Sequence, residues 1–172
     1  IKSRGIALNE ERFDMTVLTV ARQGEAILGL VATAVADSEF GSEWLYQLNK
    51  AMMDTMLDRQ GVGIAAPQVY ISKRIIIVAS RPNLRYPEAP YMEAVTMLNT
   101  EIVHVSEAKV LGEEGCLSVP DQRGKVARAQ DIRVRYYTME GVQVDAEFSG
   151  FAARIVQHEI DHLNGILFTE RL

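Results

Sequence analysis

The sequence predicts an α+β fold in which small mixed or antiparallel sheets pack around a buried C-terminal helix. Residues 132–138 and 142–148 alternate apolar and polar positions on either side of Gly141, the pattern of an antiparallel hairpin. Residues 151–164 then switch to a helical period through Ala152, Ile155, Val156, Ile160 and Leu163, with Gly165 placed to stop the helix. Strand and helix patterns do not interleave as repeating βαβ units, which argues against a doubly wound parallel sheet.

The remaining elements follow in chain order. Residues 1–14 precede Met15 and read as an N-terminal extension or a cloning remnant; residues 15–172 have the length of one domain. Leu45, Leu48, Met52 and Met56 recur at spacings of three and four, with Ser42 available as N-cap and Gly61 beyond the end, so 42–59 is an amphipathic helix. The consecutive β-branched residues Ile75, Ile76, Ile77 and Val78 suit a central strand covered on both faces. Residues 81–90 hold three of the five prolines and read as a surface loop.

Composition narrows the function. Hydrophobic residues at 48% and charged residues at 24% exclude a disordered or fibrous chain. A formal charge of −5 supplies no basic field for nucleic acid or anionic lipid, so neither is an expected partner. The longest small and apolar run, residues 26–36, is about half of the ~20 residues needed to cross a bilayer. Glu10, Glu11 and Asp14 interrupt the only stretch that could imitate an export signal. Cys116 is the single cysteine, so no internal disulfide can form and a reducing cytoplasm is the expected location.

The chemistry concentrates in three segments. In Gln157-His158-Glu159-Ile160-Asp161-His162 the histidines are four residues apart; on a helix that is about 400° of rotation, so both imidazoles leave one face and can touch one metal ion. Glu159, about 100° round, can reach a water on that ion and serve as general acid and base. A catalytic site of this kind needs a third protein ligand, and Cys116, in Gly112-Glu113-Glu114-Gly115-Cys116-Leu117-Ser118, is the candidate. Glu113 and Glu114 are expected to raise the pKa of a bare thiol, which favours a metal ligand over a nucleophile. The third segment, Gly61-Val62-Gly63-Ile64-Ala65-Ala66-Pro67-Gln68, follows a helix rather than a strand, which is wrong for a dinucleotide loop; its small residues suit close approach of an extended peptide.

Together the three segments resemble the signatures of the peptide deformylases, GxGxAAxQ, EGCLS and HExxH, in the same order. The resemblance extends from about Met15 to the C-terminus. It implies a peptide deformylase-like catalytic domain in which Cys116, His158 and His162 hold one divalent ion, Fe2+ in the cell with Zn2+, Ni2+ or Co2+ able to substitute. The implied reaction is hydrolysis of the N-terminal formyl group from formylmethionine of newly made proteins by metal-bound hydroxide, releasing formate. Glu159 would move the proton, and the Gln68 amide and the backbone N–H of Leu117 would face the developing oxyanion. Val62, Gly63, Glu114, Gly115, Phe151 and Ile155 would line the methionine pocket. Arg123 is either a buttress of the loop after Cys116 or a plain solvated arginine, and Asp161 either orients a neighbour or caps an ion pair. Ten residues follow His162, so the long basic helix by which some members dock on the ribosome is expected to be missing, leaving transient ribosome proximity.

Two other readings use the same residues. A zinc endopeptidase shares HExxH, but a thiolate would soften the Lewis acidity of its metal. A purely structural ion would need a fourth protein ligand, for which His104 is the remaining histidine.

Overall fold

The computed structural model describes residues 15–172; the expectation for residues 1–14 lies outside the described residues. Two helices, α1 (Glu43–Asp58) and α2 (Gly150–Leu163), flank seven strands: β1 (Gly63–Ala65), β2 (Ile75–Ser80), β3 (Met92–Val105), β4 (Lys109–Cys116), β5 (Val119–Ala129), β6 (Asp131–Tyr137) and β7 (Gln143–Ser149). Five strands form a sheet in the order β1-β2-β3-β6-β7, and β4 and β5 form a separate hairpin. All pairings between these strands are antiparallel.

The α+β expectation is met, and the reason is visible in β2. All six of its residues are buried. Ile76 and Val78 face one core with Ile155, Val156, Ile160 and Leu163 of α2, while Ile75, Ile77 and Ala79 face a second core with Leu45, Met52 and Met56 of α1. A strand between two helices has no polar face to present, so alternation gives way to a continuous apolar run. Ser42 caps α1 by accepting from the Leu45 N–H at 3.2 Å. The β6–β7 hairpin pairs Ile132 with Phe148 and Val134 with Ala146, and Gly141 in its connection adopts φ +89°, which a side chain would oppose.

The β4–β5 hairpin stands apart because polar contacts, rather than sheet pairing, attach it to α2. Gln157 on α2 accepts from the Ala129 N–H at 3.1 Å and donates to the Ala129 carbonyl at 3.0 Å, imitating a neighbouring strand residue. Arg154 donates to the carbonyls of Val110 and Val126 at 2.7 and 2.8 Å. Gly112 leaves room for it: a Cβ there would lie 2.7 Å from an Arg154 nitrogen. Beneath Cys116 a third core of Leu28, Val119, Val126, Leu167 and Phe168 supports the hairpin tip. At the far end of α2, Arg74 donates to the Leu163 carbonyl at 3.0 Å, satisfying a group that every helix end leaves open.

Candidate active site

α2 carries His158, Glu159 and His162 on its buried side, and β4 ends at Cys116, so the Arg154 and Gln157 contacts that dock the hairpin also bring the sulfur to the imidazoles. The Cys116 Sγ lies 3.3 Å from His162 Nε2, and the potential donor atoms of Cys116, His158 and His162 all fall within 4.8 Å of one another. His104 is exposed on β3 opposite Arg133 and does not belong to this cluster.

The sulfur sits among donors and positive charge. Ser118 N–H and Gln68 Nε2 approach it at 3.4 and 3.6 Å. Burial pushes the Cys116 thiol up, but His162 and His158 outweigh burial and bring it well below its ordinary value. The expectation that the acidic flank would raise this thiol is therefore overturned. Glu113 pairs with Arg123 at 3.1 Å on the surface. The Glu114 carboxylate is neutralised where it lies, receiving Arg128 Nε and Nη2 at 2.9 Å each and Arg154 Nη1 at 2.8 Å.

Glu114 also accepts from His158 Nδ1 at 3.0 Å, which orients the ring and keeps a proton on Nδ1, so that Nε2 is the nitrogen a metal ion would take on displacing its proton. Burial opposes the charge on Glu114, yet the hydrogen bonds from Arg128 and His158 hold its pKa at about 2. Asp161 continues the network, accepting from Arg128 Nη1 at 2.7 Å and from Arg171 at 2.6 and 3.0 Å, so it is one corner of a buried ion cluster.

Glu159 differs from both. Burial pushes its pKa up to about 7, the two histidines only partly offsetting this, and its Oε1 has no hydrogen-bond partner among the described residues. Gly63 makes space for it: a Cβ at that position would lie 2.5 Å from Glu159 Oε2. Gln68 is buried, with Oε1 accepting from the Ala65 N–H at 2.9 Å and Nε2 donating to Ser118 Oγ at 3.1 Å, so its amide orientation is set from both sides. The segment 15–42 pins the same region, Ala21 N–H donating to the Gln68 carbonyl at 2.7 Å and Gln23 N–H to the Ser118 carbonyl at 2.9 Å.

A cleft opens above these groups. Val62, Gly63, Gly115, Leu117, Phe151 and Ile155 line it, as does Glu114, whose carboxylate is fully engaged beneath the wall. The sequence reading missed three residues of the lining: Arg154, and Arg85 and Tyr86, the latter two because a proline-rich segment reads as solvated loop. Instead Tyr86 packs edge-on against Phe151 at 5.1 Å, and its hydroxyl accepts from the Gly115 N–H at 2.9 Å. Arg123 lies over the Tyr86 ring at 4.8 Å, so it does buttress this side of the hairpin.

Fold and site together define an enzyme built around a thiolate and two imidazoles that can hold one metal ion, with a buried carboxyl group beside them. The pattern of the family described as polypeptide deformylase matches residues 17–172, and the chain belongs to that family. Peptide deformylase 2 of Shewanella oneidensis is 49% identical over 154 residues, covering 90% of this chain and 83% of that protein. A class I type b peptide deformylase from Acinetobacter baumannii, solved with Met-Ala-Ser bound, superposes with a TM-score of 0.90 at 63% identity, covering 92% of this chain and 99% of that one. A probable peptide deformylase from the Synechococcus phage S-SSM7 superposes at 0.79 with 39% identity, covering 90% of this chain and 99% of that one. The family's activity is removal of the N-terminal formyl group from new polypeptides, and its members depend on a metal. No helix among the described residues is long and apolar enough to cross a membrane.

Proposed function

We propose that the cleft hydrolyses the formyl group of N-formylmethionyl chains, with Cys116, His158 and His162 holding a divalent ion. The residues fit such an ion: a thiol already driven toward thiolate, an imidazole that Glu114 orients through Nδ1, and a buried carboxyl oxygen without a partner among the described residues converge in one place. One thiolate with two imidazoles suits a borderline ion such as Fe2+, Co2+, Ni2+ or Zn2+, with Fe2+ the expected cellular occupant. When bound, the ion supplies Lewis acidity, polarising the formyl oxygen and lowering the pKa of water.

The chain's own groups do the rest. Glu159, whose burial raises its pKa in the metal-free chain, accepts a proton from the attacking water and returns it to the leaving nitrogen, since an amide nitrogen must be protonated to depart. The Gln68 side chain and the backbone N–H of Leu117 donate to the oxygen that gains charge as the carbonyl becomes tetrahedral. Val62, Phe151 and Ile155 give the methionine side chain an apolar wall, while Gly63 and Gly115 let the peptide backbone come close.

The observation that carries this reading is the buried Glu159 carboxyl, its Oε1 without a hydrogen-bond partner among the described residues, beside the Cys116, His158 and His162 cluster. An endopeptidase would use the same carboxyl group but would act within a chain. Formate release from a formyl-Met peptide, with an acetyl-Met peptide and a casein digest alongside, tests the choice. The proposal expects formate from the first and nothing from the other two; casein cleavage without formate would overturn it.

A further inference from the structure

Arg85 is placed unlike a solvated surface arginine. It is half-buried and lines the cleft, and its guanidinium makes no hydrogen bond or ion pair among the described residues. It also lies beside a like charge. A Cβ on Gly115 would be 2.5 Å from Arg123 Nη1 and 2.9 Å from Arg85 Nη2, so the two nitrogens can be separated by no more than the sum of these, 5.4 Å. Among the described residues the only carboxylate bonded to the pair is Glu113, which binds Arg123 at 3.1 Å with 58% of its own side chain exposed.

The arrangement is held by the backbone rather than by chance. Asn83 Oδ1 accepts from the N–H groups of Arg85 and Tyr86 at 2.8 Å each, a side-chain turn that sets the direction in which Arg85 leaves the loop. The Tyr86 hydroxyl then ties this loop to Gly115, and Arg123 packs on the Tyr86 ring. Two long cationic side chains would normally swing apart into water. Here a loop and a hairpin from distant parts of the chain hold them together at the cleft, leaving one excess positive charge in a protein whose net charge is −5.

We propose that Arg85 and Arg123 form an anion subsite, and that the enzyme favours formylmethionyl peptides with an acidic side chain at one of the two residues after the methionine. This rests on the deformylase reading of the cleft. Gly115 immediately precedes Cys116, so the pair lies about one or two strand residues, ~3.3 Å each, from the reacting end, within reach of a carboxylate on a peptide extending from it. Arg154, the other lining guanidinium, is bonded to Glu114 and to strand carbonyls and does not compete for that carboxylate.

The test uses metal-loaded enzyme and C-terminally amidated formyl-Met peptides with Glu, Gln or Lys at the second or third residue. Glu should exceed Gln in kcat/KM by about three- to tenfold at low salt at one of these positions, the advantage shrinking as salt is raised. Arg85→Gln should bring the ratio near one, Arg85→Glu should turn the preference toward Lys, and Arg85→Lys should keep most of it. A wild-type Glu to Gln ratio at or below one at both positions, or a preference unchanged in Arg85→Glu, overturns the inference. If neutral peptides are deformylated without charge preference, this inference alone falls; if no formyl peptide yields formate, the deformylase reading falls and takes the inference with it.

Discussion

Gly63 and Glu159 share one space: the position of a Cβ on Gly63 is 2.5 Å from the Glu159 carboxylate, well inside any real contact distance. Even an alanine therefore moves the acid or the strand. Since Gly63 belongs to β1, which pairs with β2 in the sheet, the carboxylate should yield first. Gly63→Ala is expected to lower kcat by about 10²-fold, the order a misplacement of roughly 1 Å can cause, while bound metal and the circular dichroism spectrum stay those of the wild type. Full activity in this variant would mean that Glu159 does not act from where it sits.

Glu159 also makes a stability prediction for the metal-free protein. Its folded pKa, about 7, lies above its ordinary value of 4.5, so the folded state holds the proton more tightly. Stability from this group is full below pH 4.5 and is lost as pH rises through 7, up to about 3 kcal/mol. Glu159→Gln, which cannot ionise, should melt near the wild type at pH 4.5 and above it at pH 8 when both are held in chelator. Calorimetric melting curves check this, and an equal difference at both pH values would contradict it.

Arg154 joins α2 to the hairpin that carries Cys116. Arg154→Ala removes its hydrogen bonds to three strand carbonyls and its share of the Glu114 charge. Breaking one member of a buried ion cluster costs about 3 to 5 kcal/mol, which for a chain of this size is a fall in Tm on the order of 10 °C. Metal affinity should fall as well, because the sulfur and the imidazoles are no longer held together. Thermal melting and a competitive chelator titration measure the two effects separately.

Much of this architecture was legible in the chain because packing agreed with local pattern. Ser42 and the Leu45 to Met56 spacing mark α1 within a residue of its observed ends, and the Ile75 to Val78 run marks a strand between two helices. The strands β3, β4 and β5 were not legible. Most β3 residues after Thr100 are exposed, and β4 is buried only at Glu114, Gly115 and Cys116, so neither shows sustained alternation. The metal-ligand candidates were legible because a helix turns HExxH into one face; their supports were not. Arg128 and Arg154 are residue types that normally face water, and only the folded chain shows them buried against Glu114. Arg85 and Tyr86 were hidden in a segment whose prolines signal loop but not where the loop lands. The thiol was misjudged because sequence proximity to Glu113 and Glu114 says nothing of the arginines that neutralise them.

The account depends most on Cys116, His158 and His162 acting as one metal site, and counting tightly bound metal beside formate release tests this directly. Wild type and Glu159→Ala should each retain about one equivalent after dialysis, as expected for a single site, with Glu159→Ala slower by about 10² to 10⁴-fold. Cys116→Ala should lose both the metal and the activity. A folded Cys116→Ala protein that keeps its metal and releases formate at the wild-type rate would contradict the account.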